Sequence, residues 1–396
     1  MTAHSRRLTV ACIVLAALLG GCTTTEEKPA PPPAPAPIVA LPYDQAVRKA
    51  AEELLKNANL APDQKYSMVV DPLVDGNSGM QTEATVAMEQ SVVQVVKDQY
   101  KQVDVKPFTS EIVSSLPLLM VGTFTPINLQ GKADGERDAY RICFALADLK
   151  SGKIISKGLA RSLPEGFDPT PIALFREMPV WAKDTAVEGY VKTCQGTKAG
   201  DPINPAYIDA VLAASTISEA IKAYQARNYK ESLALYESVL KNPAGNQARV
   251  YAGIYLDNAR LGRRKPAMQA FGKLVEMGLA TDRLAVRFDF RPGATAFAPD
   301  QQYSQWLSEI AKQSLRQTSC VEVAGHTRRS ASEQMDERLS LQRAEFVRQK
   351  MVAATPAIAK RSSAKGYGSQ RAVVGTGKGN DSDALDQRIE FKKVAC

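Results

Sequence analysis

Histidine and tryptophan are scarce in this 396-residue chain, which contains two of each. One histidine, His4, lies in an N-terminal segment with the character of a cleaved leader, so that His326 is the one expected in the mature chain. A single imidazole is too little for a zinc site or for a Ser/His or Cys/His dyad. We therefore expect no metal, no cofactor and no enzymatic activity.

Blocks of like charge are also missing. The formal net charge is +8, but the lysines and arginines are dispersed and form no run of five or more. Such a surface gives no reason to expect a nucleic-acid partner. With 44% hydrophobic and 23% charged residues, the composition is ordinary for folded domains, and the length suits two or three of them.

The N-terminus combines Arg6 and Arg7 with an apolar run from Leu8 to Leu19. This run is too short to cross a bilayer, and the pattern predicts a signal peptide at residues 1–21. The sequence Leu19-Gly20-Gly21-Cys22 resembles the bacterial lipobox, which implies acylation of Cys22, palmitate included. The next residue is Thr23 rather than an aspartate, which resembles the pattern of lipoproteins sent to the outer membrane and implies anchoring there, facing the periplasm. The alternative is an ordinary signal peptide cleaved elsewhere, which would leave a free Cys22.

Residues 22–40 follow as a proline-rich tether. Its TTTEEKPAPPPAPAP sequence cannot form a core and predicts extended polyproline II and coil. At roughly 3.1 Å per residue, it reaches about 50 Å from the lipid.

Residues 41–200 alternate between helical and strand-like patterns, which predicts a periplasmic α/β domain. Helices are expected at 46–58 and 85–100, and strands at 66–75 and 118–127. This order is similar to that of periplasmic lipoproteins that assist flagellar assembly or activate penicillin-binding proteins.

Residues 201–281 are predicted to be helical and carry two copies of one pattern, with Tyr236 and Phe271 in matching positions 35 residues apart. The period resembles that of tetratricopeptide repeats and makes this section a candidate surface for a protein partner. A plain helical bundle is the alternative. Because two repeats are too few to be stable alone, we expect the section to pack on a neighbouring domain.

The segment from Val321 to Arg348 reads as a strand, a polar turn and a helix that starts near Ser332. Asp336 and Arg343 lie seven residues apart on the predicted helix. Both side chains would leave the same side of the helix and could hold one zwitterionic ligand between them. A solvated surface pair is the alternative.

Several motifs in residues 282–396 together resemble the C-terminal peptidoglycan-binding domain of outer membrane protein A, the peptidoglycan-associated lipoprotein and motor stator proteins. They are GHT, LSLQRAEFV, Gly366-Tyr367-Gly368 and Asp386-Gln387-Arg388-Ile389-Glu390-Phe391. The resemblance implies a βαβαββ sandwich that grips the diaminopimelate of the peptidoglycan stem peptide.

The family uses an aspartate after G-H-T, an asparagine eight residues later and the arginine of the L-S-x-x-R-A helix. Arg343 matches the arginine, Asp336 stands at the asparagine position, and Arg328 replaces the aspartate with the opposite charge. The resemblance therefore implies a ligand site at Thr327, Arg328, Asp336, Arg343 and Arg388. In this site, Arg343 and Arg388 would bind a ligand carboxylate and Asp336 its ammonium group.

Four cysteines remain once Cys12 and Cys22 are set aside, and in an exported protein they are disulfide candidates. Four cysteines allow three pairings. Their placement in the predicted domains favours Cys143 with Cys194 and Cys320 with Cys396, and four free thiols are the alternative.

The combined prediction is a multidomain α/β lipoprotein with a short helical section resembling tetratricopeptide repeats and a C-terminal peptidoglycan-binding domain that links outer membrane to cell wall. The alternative is an envelope adaptor that recruits a peptidoglycan synthase or an envelope machine through its first domain and the repeat-like section, with peptidoglycan binding weakened or lost. A wall hydrolase is disfavoured because the chain offers no catalytic group for it.

Overall fold

The computed structural model describes residues 39–396, except 129, 134, 182–184, 292, 300–301, 378–382 and 384–385. The predicted signal peptide, Cys22 and the tether up to residue 38 lie outside the described residues. No helix in the described ranges is both long and apolar enough to span a membrane.

Strands and helices alternate along most of the chain. The strands are β1 (Ala40–Leu41), β2 (Tyr66–Val70), β3 (Val74–Asp75), β4 (Val103–Lys106), β5 (Leu118–Ile127), β6 (Ala139–Asp148), β7 (Lys153–Ser162), β8 (Val180–Trp181), β9 (Leu284–Val286), β10 (Cys320–His326), β11 (Ser362–Gly366) and β12 (Arg388–Val394). The helices are α1 (Tyr43–Asn57), α2 (Glu83–Gln99), α3 (Ser110–Ser114), α4 (Ala173–Glu177), α5 (Thr185–Gln195), α6 (Pro205–Ile208), α7 (Val211–Gln225), α8 (Tyr229–Val239), α9 (Ala248–Arg260), α10 (Arg264–Ala280), α11 (Tyr303–Leu315) and α12 (Glu333–Ala354).

The first sheet has the strand order β1-β7-β6-β5-β2-β4, with β3 paired to β5. Strand β2 runs parallel to β4 and β5, whereas β5, β6 and β7 form an antiparallel meander. Helices α1 and α2 pack on one face, and α5, α6 and α7 on the other. Because both faces are covered, every residue of β5 is buried and its sequence is almost continuously apolar.

The expected elements of this region are present. The helices predicted at 46–58 and 85–100 are α1 and α2, and the strand predicted at 118–127 is β5. Helix α2 begins with a capping box, in which the side chain of Thr82 accepts a hydrogen bond from Thr85 N and that of Thr85 from Thr82 N. The cap fixes the start of α2.

The helical section spans α6 to α10, as predicted. Tyr236 and Phe271 are fully buried, and a Cβ at Gly253 would lie 2.1 Å from the Tyr236 ring. The glycine therefore lets α9 approach α8 closely. These helices share one apolar core with α11, α12 and the second sheet, so the section packs on its neighbour. The likeness to tetratricopeptide repeats stays a prediction.

The second sheet has the order β11-β10-β12-β9-β8. Its C-terminal elements follow one another as β9-α11-β10-α12-β11-β12, which confirms the predicted βαβαββ order. Its edge strand β8 comes from the segment assigned to the first domain, and pairs with β9. The domain boundaries themselves stay predictions.

Two glycines let α12 lie directly on the second sheet. A Cβ at Gly325 on β10 would be 2.0 Å from the backbone oxygen of Ser340, and one at Gly366 on β11 would be 2.5 Å from that of Glu337. No side chain larger than hydrogen fits at either contact. Gly325 therefore marks the face of β10 that meets α12, and the alternate residues of the strand face away.

Both favoured cysteine pairs form disulfides. Cys143 on β6 joins Cys194 on α5, with 6.1 Å between their Cα atoms. Cys320 at the start of β10 joins Cys396, with a Cα separation of 5.0 Å. The first bond ties a helix to its sheet, and the second ties residue 396 to the start of β10.

Candidate functional site

The G-H-T motif ends β10 with Gly325 and His326, and Thr327 holds the turn that follows to α12. The backbone N–H of Thr327 donates to Gly368 O at 3.0 Å, and its hydroxyl donates to Asp336 O at 3.4 Å. Thr327 is buried. Its hydrogen bonds join the turn, the helix and the segment after β11, so that Thr327 positions the site.

Asp336 lies in the first turn of α12 and is 4% exposed. Its Oδ2 atom accepts hydrogen bonds from the backbone N–H of Ser330 at 2.9 Å and from the hydroxyl of Ser369 at 3.2 Å. Both donors are neutral, and no cation of the described residues forms an ion pair with Asp336, so the carboxylate can accept a ligand cation.

Arg343 is two turns further along α12, and its guanidinium lies over the ring of Phe290, 4.6 Å from the ring centroid. Its Nε donates to Ala294 O and its Nη1 to Gln387 Oε1, both at 3.1 Å. Burial lowers the pKa of Arg343, but a guanidinium stays protonated at neutral pH. Among the described residues, no carboxylate pairs with Arg343 and none accepts from its Nη2.

Arg343 therefore offers a buried positive charge with donors left for an anion. The neutral acceptors fix its orientation without cancelling its charge. A bidentate carboxylate is the anion that this planar group binds best.

Arg328 is exposed and makes no hydrogen bond or ion pair with the described residues. Its neighbour Arg329 instead contacts the Glu136 carboxylate and the backbone oxygen of Gly377. The charge that replaces the family aspartate thus stands in solvent at the rim, where water weakens its effect on a ligand.

The structure does not bring Arg388 together with Arg343. Ile389 pairs with Gly325 and so faces α12, which turns Arg388 and Glu390 to the opposite face of the sheet. Arg388 is 5% exposed and donates to Asp386 O at 3.0 Å, Arg371 O at 3.0 Å and Glu390 Oε1 at 2.7 Å. Its donors are occupied inside the protein.

Glu390 also meets His326, whose Nε2 lies 3.4 Å from Glu390 Oε2. Burial lowers the pKa of His326 to about 4, so that the imidazole is neutral at pH 7. Although burial raises the pKa of Glu390, the contact with His326 and the charge of Arg388 hold it well below its usual value. The histidine of the G-H-T turn is a neutral structural residue.

Sequence reasoning missed five neighbours of the site. Gln387 stands inside a recognised motif, so its position was a usable signal. The other four neighbours are Phe290, Ala294, Ser330 and Ser369. They lie in loops that the fold brings to Arg343 and Asp336, and no sequence motif indicates these contacts. Within the described residues, no group of three or more His, Cys, Asp or Glu is placed to hold a metal ion.

Residues 289–384 match the OmpA family. Among solved structures, the chain is similar to the peptidoglycan-associated lipoprotein from Burkholderia pseudomallei, with 20% identity over 28% of this chain and 89% of that one, at a TM-score of 0.24. The chain is also similar to the cell wall anchor of the T6SS from Pseudomonas aeruginosa, with 24% identity over 28% of this chain and 80% of that one, at a TM-score of 0.24.

The C-terminal domain of Helicobacter pylori MotB is 20% identical over 28% of this chain and 84% of that one, at a TM-score of 0.24. No curated protein matches the chain. The matched range contains both Asp336 and Arg343; it begins just after β9 and spans α11, β10, α12 and β11. The chain therefore carries an OmpA-family domain at its C-terminal end.

Proposed function

We propose that this protein binds peptidoglycan non-covalently through the diaminopimelate stem peptide and links the outer membrane to the cell wall. The observation that carries the proposal is Arg343, a buried guanidinium that no carboxylate of the described residues neutralises. A buried charge of this kind is costly unless a partner arrives. A ligand carboxylate is the partner that fits.

Asp336 supplies the opposite charge. It lies on the same helix, two turns before Arg343, and its Oδ1 accepts no hydrogen bond from the described residues. Diaminopimelate carries both carboxylate and ammonium groups. One such residue placed along α12 would satisfy Arg343 with a carboxylate and Asp336 with an ammonium group.

The N-terminal sequence indicates where in the cell this protein would act. A lipidated Cys22 and a tether of about 50 Å would hold the domain within the periplasm, between membrane and wall. Arg328 at the rim adds a positive charge, so the site as a whole would favour the carboxylate end of its ligand.

Sedimentation with purified sacculi tests the proposal. Arg343→Ala is expected to reduce the association constant for sacculi by about tenfold or more, because a charge-assisted pair contributes roughly 1.5–3 kcal/mol. Asp336→Ala should act in the same direction. Arg338→Ala is the matched control, since Arg338 is an exposed arginine of the same helix, and should bind like the unaltered protein. Equal pelleting of all four proteins would rule out this site.

A second candidate function is an envelope adaptor, favoured by a groove beside the helical section. A cavity of about 480 Å³ lies between α9, α11 and the residues after α4, and its wall includes Tyr255, Arg260 and Trp306. Aromatic and arginine side chains are enriched where proteins bind partners. Cross-linking in cells separates the two functions, because an adaptor would yield a protein partner and a wall anchor mainly muropeptides.

A further inference from the structure

The second sheet has a face that α11 and α12 do not cover, and this face holds a cavity. The cavity has a volume of about 360 Å³ and lies against β8, β9 and β12. Ligand pockets in proteins have volumes of roughly 300 to 1,000 Å³. It is separate from the Arg343 site, because the residues of β12 that line it point away from α12.

The floor of the cavity is a row of three residues in register across the strands. Trp181 on β8 pairs with Ala285 on β9, and Ala285 pairs with Glu390 on β12. Neighbouring strands lie roughly 4.8 Å apart, so Trp181 and Glu390 stand about 10 Å from each other with only a methyl group between them. The small side chain of Ala285 therefore leaves room beside the indole for part of a ligand.

Trp181 is half-buried, and its indole N–H has no partner among the described residues. Its strand neighbour Val180 is fully buried on the helix side, which turns Trp181 toward the cavity. An aromatic face attracts the weakly positive C–H groups of a sugar ring, and the indole N–H can donate to a hydroxyl.

The three cations of the wall, Arg283, Arg388 and Lys392, stand beside three carboxylates, Asp282, Glu188 and Glu390, so the formal charges balance. Lys392 Nζ lies 2.8 Å from Glu390 Oε2, Arg388 contacts Glu390, and Arg283 pairs with Glu188. No cation of this wall lacks a carboxylate neighbour in the part of the chain that the structure describes. Such a site offers both donors and acceptors but no excess charge, which suits a neutral, hydroxyl-rich ligand better than an acidic peptide.

We infer that this cavity, the Trp181 cavity, binds the glycan strand of peptidoglycan, while the Arg343 site binds its peptide. The inference rests on the proposed function, since the wall polymer offers both chemistries in one molecule. Two weak sites on opposite faces of one sheet would bind the polymer far more tightly than either alone.

A neutral tetrasaccharide of N-acetylglucosamine and a diaminopimelate-containing stem tripeptide, each titrated by calorimetry into the full chain, separate the two sites. We expect the tetrasaccharide to bind with a Kd on the order of 0.1–1 mM. Trp181→Ala should weaken it by about tenfold, and Trp181→Phe, which keeps an aromatic face, by much less. Neither should change tripeptide binding, and Arg343→Ala should show the reverse pattern.

Tryptophan emission gives a second readout. The chain has two tryptophans, and Trp306 is 7% exposed, so a saccharide-induced shift should come from Trp181 and vanish in Trp181→Phe. Tetrasaccharide binding that survives Trp181→Ala, no binding at about 10 mM, or an emission shift with an acidic oligopeptide instead would overturn the inference. Loss of tripeptide binding alone would count against the proposed function and leave this cavity standing.

Discussion

At the scale of single residues, the helical section contains a charge whose burial should make stability depend on pH. Asp257 on α9 is 0% exposed, and its carboxylate oxygens have no hydrogen bond of normal geometry among the described residues. Burial raises the pKa of Asp257 to about 7, and the nearby Ser232 hydroxyl offsets only part of this. The folded state therefore binds this proton more tightly than the unfolded state does.

The sign of the pH effect follows from linkage. The pKa of Asp257 is about 4 in the unfolded chain and about 7 in the folded protein. Below pH 4 the carboxyl is protonated in both states, so ionisation does not lower the free energy of unfolding. As pH rises from 4 toward 7, the unfolded state loses this proton first, and the free energy of unfolding falls. Asp257→Asn should remove the penalty and raise the free energy of unfolding at pH 8 by roughly 2 kcal/mol. Urea denaturation of both proteins at pH 5 and pH 8 checks this. A gain that is equal at the two pH values would contradict it.

At the scale of elements, the placement of α12 depends on the absence of a side chain at Gly325. An alanine Cβ there would lie 2.0 Å from the backbone oxygen of Ser340, so the helix that carries Asp336 and Arg343 must move. We expect Gly325→Ala to destabilise the fold by about 2–3 kcal/mol and to weaken sacculus binding.

Gly272 on α10 offers the matched control. A Cβ there meets the flexible end of Glu309 at 3.1 Å, and alanine is the better helix former by up to about 1 kcal/mol. Thermal unfolding should therefore separate the two glycine variants clearly. If both variants unfold at the same temperature as the unaltered protein, the contact between β10 and α12 has room for a Cβ at Gly325, contrary to this prediction.

At the scale of the whole molecule, one arginine joins the first sheet to the loop between β11 and β12. Arg137, which precedes β6, is 3% exposed and donates from Nη1 to Gly375 O at 2.6 Å and from Nη2 to Ala372 O. Its backbone N–H also donates to Thr376 O at 2.9 Å. The acceptors are backbone oxygens, so the contact fixes the course of the loop.

Arg137→Ala should therefore loosen residues 372–376 rather than unfold the protein. We expect hydrogen exchange of these amides to quicken by about tenfold or more, because each lost bond to a charged donor contributes roughly 1.5–3 kcal/mol. Exposed Arg176 provides the control, and Arg176→Ala should leave exchange in the loop unchanged. Unaltered exchange in Arg137→Ala would show that the loop holds its course without the arginine.

Local pattern determined much of this protein. Several features depend only on residues close together in the chain: the apolar spacing of α1, the apolar run of β5, the Ser332 start of α12, and the G-H-T and L-S-x-x-R-A motifs. The sequence by itself therefore predicted the C-terminal fold and the positions of Asp336 and Arg343 on α12. The two disulfide pairs followed from the same predicted domains.

Only the tertiary structure decided what depends on residues far apart in sequence. It placed Phe290 and Gln387 on Arg343, turned Arg388 to the other face of the sheet, and brought Trp181 beside β9 and β12 to form the cavity. The reason is that strand pairing and side-chain alternation set which residues share a face, and pairing partners are chosen by the packing of the whole core rather than by local sequence.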